Sequence, residues 1–374
     1  MTKFAKVGCT ILGCAALLFV DYLVGHLVFG NKEPEVKNII YMIGDGMGVA
    51  QISATQIAQD YEPLNLERAT HVGLQKTYSA NSRVTDSAAA GTALSTGYKT
   101  NNGMIGVTPD SIAHPSIRER AEKAGMATGI IATYPATNAT PASFVGHVPN
   151  RNMEDEIAMY YIHNQVDVVI AGGSKRFNQR ADSLNLFNTL AERGYIITDN
   201  LAELDDVHSG RVMALTNEGS MSSILDGRDT SFLPNATAKA LEILTANAKQ
   251  DGFFLMVEGS QIDGWGHQNN IEGVITETKD FDNAIKVAFD YADTHPGTLV
   301  VITADHATGG LTIVNGNRKF DLHDHKVDYA WTTGGHTGEM VPIFAYGAGA
   351  ENFTGVFENK QIPQIMFRLL GFEE

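Results

Sequence analysis

Six side chains that bind metal ions well are spread over four parts of the chain. They are Asp45, Asp263, His267, Asp305, His306 and His336. Asp263 and His267 are four residues apart, so a helical turn or a tight loop would let both reach one ion. Each short pattern is common without a metal, but six oxygen and nitrogen donors suffice for two zinc ions with three protein ligands each. Two ions about 3.5–4 Å apart would form a clamp for in-line displacement at phosphorus.

A serine stands where a helix is predicted to begin. In residues 85–94, capping residues precede a run of small side chains, which is typical of a helix N-terminus. The free N–H groups and the positive end of the helix dipole would place Ser87 well for a phosphoryl group. Alternatively, Asp86 or Ser87 only caps the helix. No Gly-x-Ser-x-Gly sequence surrounds the serine, which argues against a hydrolase triad.

Short apolar runs that end abruptly in small or polar residues predict the strands of a buried parallel sheet. These runs cover residues 36–43, 127–134, 167–170, 253–257, 299–303 and 342–346. The stretches between them predict helices over residues 116–123, 153–163, 234–249 and 276–291. This alternation predicts an α/β fold with a large, mostly parallel central sheet sandwiched between helices. Ligands bind at the carboxyl ends of such strands, and Asp45, Glu258 and Asp305 all fall near that edge.

Length and composition limit the remaining choices. The 374 residues allow one large or two ordinary domains, and 43% hydrophobic residues exclude a mostly disordered chain. A formal net charge of −16 repels nucleic acid, so no nucleic-acid partner is expected. We predict a single catalytic domain over residues 31–374. Residues 174–232 lack clear alternation and are interpreted as an insertion packed on one end of it.

Residues 1–30 predict an export signal or an anchor. A basic start precedes an uncharged stretch, residues 7–20, whose length suits a secretory signal better than a membrane span. Residues 11–14 resemble a lipoprotein processing box, which leaves lipid attachment at Cys14 open. A retained anchor is the third alternative, in which Asp21 would cost about 3 kcal/mol at mid-bilayer. We expect an exported protein, either periplasmic or attached to the membrane.

Seven motifs resemble those of the alkaline phosphatases, in that family's order, from about residue 36 to the C-terminus. They are Asp-Gly-Met-Gly at 45–48, Thr-Asp-Ser-Ala at 85–88, Ala-Thr-Pro-Ala-Ser at 139–143, Arg151, Glu-Gly-Ser-Gln-Ile-Asp at 258–263, Thr-Ala-Asp-His at 303–306 and Gly-Gly-His at 334–336. The resemblance implies a large α/β sandwich, usually a homodimer, with two zinc ions and one magnesium ion per subunit. With 37 glycines against 11 prolines, the composition favours loose loops and agrees with a compact, cold-adapted bacterial member.

The resemblance also implies a role for each motif residue. Ser87 would be the nucleophile that becomes a phosphoserine, and Arg151, oriented by Asp86, would grip two phosphate oxygens. The first zinc would be held by Asp263, His267 and His336, and the second by Asp45, Asp305 and His306. The magnesium ion would be bound by Asp45, Thr140 and Glu258. The implied reaction is hydrolysis of small phosphate monoesters to an alcohol and inorganic phosphate.

Two departures from the family pattern concern the surroundings of these ligands. Members often carry Asp or His two residues before the threonine ligand, whereas this chain has Asn138, which leaves the metal of the third site open. Some members place Lys or Trp directly after the first-zinc aspartate. Here Gly264 takes that place and Trp265 follows, so phosphate should be held less tightly. His147, four residues before Arg151, is predicted to support the site from behind.

Three other functions compete with this interpretation. A phosphodiesterase of the same superfamily would share the two-metal ligands but usually lacks the equivalents of Arg151 and of the third site. A sulfatase would need a formylglycine motif, and Cys-x-Pro-x-Arg is absent. A catalytically silent metal-binding protein would have little use for an intact Ser87 and Arg151. The diesterase and the silent protein are kept as alternatives.

Overall fold

Ten strands form the central sheet of the computed structural model, which describes residues 35–316, 319 and 321–372. The described strands are β1 (Asn38–Gly44), β2 (His71–Lys76), β3 (Ala127–Pro135), β4 (Val168–Gly172), β5 (Tyr195–Thr198), β6 (Arg211–Leu215), β7 (Phe253–Gly259), β8 (Thr298–Thr303), β9 (Ala307–Thr308), β10 (Leu311–Ile313), β11 (Tyr329–Trp331), β12 (His336–Thr337), β13 (Val341–Gly347) and β14 (Gly355–Glu358). The order across the sheet is β14-β2-β13-β8-β1-β7-β3-β4-β6-β5. Two further pairs, β9 with β12 and β10 with β11, form small antiparallel sheets. The predictions for residues 1–30 lie outside the described residues.

Helices cover both faces of the sheet. They are α1 (Val49–Ala58), α2 (Ser87–Thr96), α3 (Ile117–Lys123), α4 (Ala139–Ala142), α5 (Glu154–His163), α6 (Lys175–Asn178), α7 (Leu186–Glu192), α8 (Phe232–Ala248), α9 (Gln261–His267), α10 (Ile271–Thr294) and α11 (Gln361–Leu369). Short 3₁₀ turns lie at Asn65–Arg68, Leu201–Leu204 and Ala350–Phe353. Within the described ranges, no helix combines the length and the apolar character needed to cross a membrane.

The alternation of side chains in β1 explains the two layers of helices. Successive strand residues point to opposite faces, and both faces of this strand are buried. Ile39 and Tyr41 belong to the apolar core on one face, which includes residues of α3, α5 and α11. Ile40 and Met42 belong to the core on the other face, which includes residues of α8 and α10. The predicted α/β fold with a mostly parallel sheet between helices is thereby confirmed.

The strand predicted at residues 342–346 differs in direction from the prediction. It is β13, which runs antiparallel to both β8 and β2, whereas all the other neighbouring pairs of the described sheet are parallel. A buried antiparallel strand has the same apolar composition as a parallel one, so the run of residues fixed the strand but not its direction.

The structure of residues 174–232 also differs from the predicted insertion packed on one end of the domain. This segment supplies β5 and β6, which continue the parallel sheet beyond β4 at one edge. Both strands are short, and their partners lie within the same sheet, so the segment widens the sheet. Residues Val36–Glu374 form one compact unit.

Four neighbouring strands direct their carboxyl ends to one place. In spatial order they are β8, β1, β7 and β3. Asp305 follows β8, Asp45 follows β1, Glu258 lies near the end of β7, and Thr140 follows β3 on α4. The functional side chains predicted from separate motifs therefore meet because parallel strands end at the same edge of a sheet.

We expect the aromatic packing of β7 to contribute strongly to the stability of the whole sheet. Phe254 is fully buried and its ring stacks on Phe144 with 6.0 Å between centroids. Phe254→Ala should lower the free energy of unfolding by about 3–5 kcal/mol because it leaves a cavity in the core. Urea titration of the chelator-treated protein measures this loss. Val356→Ala, at a side chain 60% exposed on β14, is the control and should change stability by less than about 0.5 kcal/mol. Equal losses in the two variants would contradict the argument.

Candidate active site and metal centre

The turn after β1 holds Asp45 in place. Gly46 has φ +73°, a left-handed conformation that favours glycine, and a Cβ there would lie 2.8 Å from Cα of Asp263. Its N–H donates to Oδ1 of Asp305 over 3.1 Å. The glycine therefore allows three predicted ligands, from three parts of the chain, to approach each other closely.

Asp263, His267 and His336 form the first metal-binding cluster. One ligand atom of each lies within 4.8 Å of the others. Nε2 of His267 is 3.2 Å from Asp263 Oδ2 and 3.1 Å from Nε2 of His336. The Nδ1 atoms lie 2.7 Å from the carbonyl oxygen of Gly334 and 2.9 Å from that of Thr85, respectively. A carbonyl fixes the proton on Nδ1, which leaves both Nε2 atoms free to bind a cation.

The second cluster is centred on His306. One ligand atom each of Asp45, Asp263 and His306 lies within 4.8 Å of the others, so Asp263 belongs to both clusters. Asp305, which was assigned to this site with Asp45 and His306, lies next to it, with Oδ2 3.1 Å from Nε2 of His306. Its Oδ1 accepts hydrogen bonds from the backbone N–H groups of Gly46 and His306. One oxygen of Asp305 is thus fixed by the backbone while the other faces the cluster.

Five buried oxygens of this region make no hydrogen bond of normal geometry, although one of them, Oδ2 of Asp305, lies beside the imidazole of His306. They are Oδ1 of Asp45, Oγ1 of Thr140, Oε1 and Oε2 of Glu258 and Oδ2 of Asp305. Buried carboxylates are normally hydrogen-bonded or paired with a cation, because an uncompensated buried charge costs several kcal/mol. Divalent ions with oxygen and nitrogen ligands would satisfy these atoms. The residues therefore fit two zinc ions and, at Glu258 and Thr140, a harder ion such as magnesium.

The carboxylates of Asp45 and Glu258 are destabilised in the metal-free protein. Burial raises the pKa of Asp45 well above its usual value, and the charges of Asp305, Asp263 and Glu258 raise it further. Burial also raises the pKa of Glu258, to about 8. Burial and the neighbouring charges thus favour the neutral form of both groups, unless a cation compensates the negative charge.

The first cluster shows the opposite effect. Burial alone would raise the pKa of Asp263, but hydrogen bonds from His267 and His336 hold it well below the usual range. The same carboxylate raises the pKa of His267 to about 9. For His336, burial lowers the pKa, and the contacts with Asp263 raise it more, so the net shift is upward. Asp263 thus favours the protonated form of both imidazoles in the metal-free protein, and a metal ion would compete with those protons.

Ser87 is the first residue of α2 and faces the second cluster. Its Oγ lies 3.2 Å from Nε2 of His306. Asp86 caps the helix, because its Oδ1 accepts from the N–H of Ala89 over 3.0 Å. Oδ2 of Asp86 lies 3.3 Å from Nη1 of Arg151, whose side chain remains partly exposed. The predicted serine, aspartate and arginine are therefore neighbours, with the arginine open to a ligand.

Three side chains that were predicted to surround the metal ligands contact residues outside the site. Asn138 caps α4, and its Oδ1 accepts from the N–H of Ala139. Trp265 packs against Gly273 at the start of α10. Nδ1 of His147 lies 2.8 Å from the carbonyl oxygen of Gly106, and its Nε2 is 3.0 Å from Glu119. None of these contacts reaches a cluster ligand or Arg151 directly.

Comparison with known proteins agrees with this geometry. A family model described as alkaline phosphatase matches residues 36–326 and 314–372 of the chain. The chain belongs to the alkaline phosphatase family. It is accordingly a phosphatase, and metal binding is part of that assignment.

Several alkaline phosphatases resemble it along most of their length. Alkaline phosphatase 3 of Bacillus subtilis is 34% identical over 423 aligned positions, with 92% of this chain and 90% of the relative covered. The alkaline phosphatase of Escherichia coli is 31% identical, with 91% and 88% covered. The structure of the alkaline phosphatase from the Antarctic bacterium TAB5 superposes with a TM-score of 0.85 at 36% identity, covering 92% of this chain and all of that one. The cold-active enzyme of a psychrophilic Shewanella gives 0.82 at 33% identity, with 89% and 99% covered.

Several groups that hydrogen-bond to the predicted metal ligands of this alkaline phosphatase could not be identified from the sequence. The carbonyls of Gly334 and Thr85 orient the two imidazoles of the first cluster. The hydroxyl of Thr308 is hydrogen-bonded to Asp263 and to His306. Every residue has a backbone carbonyl, so the sequence cannot show which carbonyls accept these hydrogen bonds. The one sequence feature that could have indicated such a contact is the threonine two positions after His306.

We expect the metal-free phosphatase to lose stability as the pH rises from about 5 to 8. Glu258 binds a proton in the folded chain up to its raised pKa of about 8, whereas the unfolded chain releases it near 4.3. The folded form thus binds more protons in this window, so unfolding becomes easier with increasing pH. Asp45, His267 and His336, whose pKa values are also raised, act in the same direction.

Glu258→Gln should flatten this dependence by up to about 1.4 kcal/mol per pH unit, because the amide does not titrate. Urea unfolding of chelator-treated samples at pH 5, 6, 7 and 8 measures the slope. Glu192→Gln, at an exposed position, is the control and should keep the slope of the original chain. The assignment fails if the Glu258 variant keeps it as well.

Proposed function

We propose that this enzyme hydrolyses phosphate monoesters to an alcohol and inorganic phosphate through a phosphoserine at Ser87. The observation that carries the proposal is the meeting of Ser87 with two clusters of metal-binding side chains at one sheet edge. Buried oxygens without a hydrogen bond in the same place support the binding of cations there.

We propose two zinc ions and one magnesium ion as the cofactors. Imidazole and carboxylate donors suit zinc, which supports the assignment of the first and second clusters. Glu258 and Thr140 offer only oxygen atoms, as magnesium prefers. A variant of the TAB5 enzyme has Mg bound in its M3 site, which supports a third site in this chain. Asn138 adds no charge to that site, and its oxygen is engaged in the helix cap, so magnesium should bind there weakly.

The side chains around Ser87 divide the work of phosphoryl transfer. When bound, the zinc ions would lower the pKa of the serine hydroxyl and stabilise the departing oxygen. The Oγ atom of Ser87 forms a bond to phosphorus while the bond to the ester oxygen breaks and the alcohol leaves. Arg151 and the N-terminus of α2 bind the phosphate oxygens. Water later breaks the bond between Oγ and phosphorus and releases phosphate.

The diesterase and the silent metal-binding protein remain the alternatives. A monoester has three unesterified oxygens, so Arg151, which is partly exposed beside Asp86, can contact two of them while the third faces the metal-binding clusters. A diester has only two unesterified oxygens, which leaves one for Arg151 and favours monoesters in this arrangement. Turnover of p-nitrophenyl phosphate and of bis(p-nitrophenyl) phosphate by the zinc-loaded protein, with metal analysis of the same sample, separates the possibilities. Full metal content without turnover of either ester would favour the silent protein.

We expect Ser87→Ala to abolish covalent labelling by radioactive phosphate in acid-quenched samples. The methyl group cannot form the phosphoserine, and monoester turnover should fall by at least about a thousandfold because the nucleophile is lost. Ser95→Ala is a matched control on the same helix, since Ser95 is buried and donates to the carbonyl oxygen of Ser143. Its label should equal that of the original enzyme. Label retained in the Ser87 variant would assign the nucleophile to another residue.

We expect Arg151→Ala to weaken inhibition by phosphate roughly 10–100-fold, the value of a lost charge-assisted hydrogen bond. The kcat/KM for the monoester should fall more than that for the diester, because only the monoester keeps two unesterified oxygens for Arg151 when a third faces the metal-binding clusters. Arg151→Lys is the control; it keeps the charge without the planar fork and should lie between the two enzymes. Equal losses on both esters would argue against the proposed contact.

Export and dimerisation are further proposals of ours. The basic start and the uncharged stretch at residues 7–20 support export, with a periplasmic or a membrane-attached product. Mass spectrometry of the mature N-terminus distinguishes cleavage, lipid at Cys14 and a retained anchor. Similarity to the alkaline phosphatases supports a homodimer, which light scattering of the purified enzyme tests. Cold adaptation also stays a prediction, supported by the similarity to the TAB5 and Shewanella enzymes.

A further inference from the structure

A single buried hydroxyl lies between the two metal-binding clusters. Oγ1 of Thr308 is 2.5 Å from Oδ1 of Asp263 and 3.2 Å from Nδ1 of His306. Asp263 belongs to both clusters, and His306 is the imidazole of the second. The side chain of Thr308 is fully buried. One partner, Asp263, lies on α9, far from Thr308 in the chain, and the other, His306, lies two residues before Thr308, so the hydroxyl connects α9 to the segment that carries His306.

The backbone of Thr308 contacts the same region. In the antiparallel pair of β9 and β12, Thr308 lies opposite His336. His336 is one of the two imidazoles of the first cluster, and its Nε2 lies 3.4 Å from Oδ1 of Asp263. The carbonyl oxygen of Thr308 accepts a hydrogen bond of 2.8 Å from Nε2 of Gln51 on α1. The residue is therefore held from both sides, and its hydroxyl has little freedom to turn away.

Counting protons fixes the direction of both hydrogen bonds. A threonine hydroxyl has one hydrogen to donate and can accept as well. The carboxylate oxygen of Asp263 only accepts, so the hydroxyl hydrogen points to it. The bond to His306 must then be donated by Nδ1–H. With a proton on Nδ1, the neutral form of His306 has its lone pair on Nε2, the atom that faces Asp45, Asp305 and Ser87, as a metal ligand requires.

We propose that Thr308 is a positioning residue that fixes ligands of both metal clusters at once through this one hydroxyl. The inference rests on the proposed function, because it takes the two clusters to be zinc sites. Groups that hydrogen-bond to metal ligands typically change metal affinity by about 10–100-fold when they are removed. Because one hydroxyl serves Asp263 and His306 together, its removal should weaken both zinc sites and not one of them.

The test compares Thr308→Val with Thr308→Ser in the full-length enzyme. Valine keeps the shape of threonine without the hydroxyl, and serine keeps the hydroxyl. Thr237→Val is the matched control, since Thr237 is also fully buried and donates to a backbone carbonyl, that of Leu233 on α8. Zinc affinity is measured for both binding steps by competition with a chromophoric chelator, and zinc per chain by elemental analysis.

We expect Thr308→Val to lose about 10–100-fold in affinity at both steps. Thr308→Ser should stay within a few-fold of the original enzyme, and Thr237→Val should be unchanged. Unchanged affinity in Thr308→Val, or a loss confined to one step, overturns the inference. A loss of the same size in Thr237→Val would also overturn it, since general destabilisation would then explain the result.

The proposed function and this inference fail in different ways. If the original enzyme binds no zinc and does not hydrolyse p-nitrophenyl phosphate, the proposed function fails and the inference with it. If the original enzyme binds two zinc ions and turns over the monoester while Thr308→Val retains both affinities, only the role of Thr308 is refuted.

Discussion

Repulsion between buried carboxylates is the constraint on which this structure depends. Asp45, Glu258, Asp263 and Asp305 are all buried at the carboxyl ends of neighbouring strands. Such a group of negative charges opposes folding unless protons or cations neutralise it. The raised pKa values of Asp45 and Glu258 express that cost in the metal-free chain. The fold therefore assembles a site whose own electrostatics favour the binding of cations.

Asp263 and Asp305 avoid the cost in a different way. Their pKa values are lowered, Asp263 by the imidazoles of His267 and His336, and Asp305 by that of His306, in each case against the effect of burial. The site thus contains carboxylates paired with imidazoles next to carboxylates that lack a partner. Mixed donors suit zinc, and unpaired oxygens suit a harder ion, so one sheet edge can hold two kinds of metal.

The sequence predicted the fold well, and it marked candidate residues that lie together in the structure, because both depend on local signals. Apolar runs of four to eight residues marked the central strands, and the motifs marked Asp45, Ser87 and Glu258. The direction of β13 and the strands β5 and β6 were missed, since short strands and antiparallel ones have no distinct composition. Distances were also beyond the sequence. The shared position of Asp263 between clusters and the contact of the Thr308 hydroxyl with Asp263 depend on approaches between residues that are far apart in the chain.

The central position of β1 in the sheet has a consequence for folding during synthesis. Its Asn38 side chain hydrogen-bonds to Thr298 and to the N–H of Phe253, residues 260 and 215 positions later. During synthesis β1 therefore cannot pair with its neighbours β7 and β8 until most of the polypeptide has left the ribosome. Contacts so distant in sequence make folding slow, and the apolar strand stays available to wrong partners in the meantime. The nascent chain cannot assemble its full set of ligands until β8 and β12 have emerged.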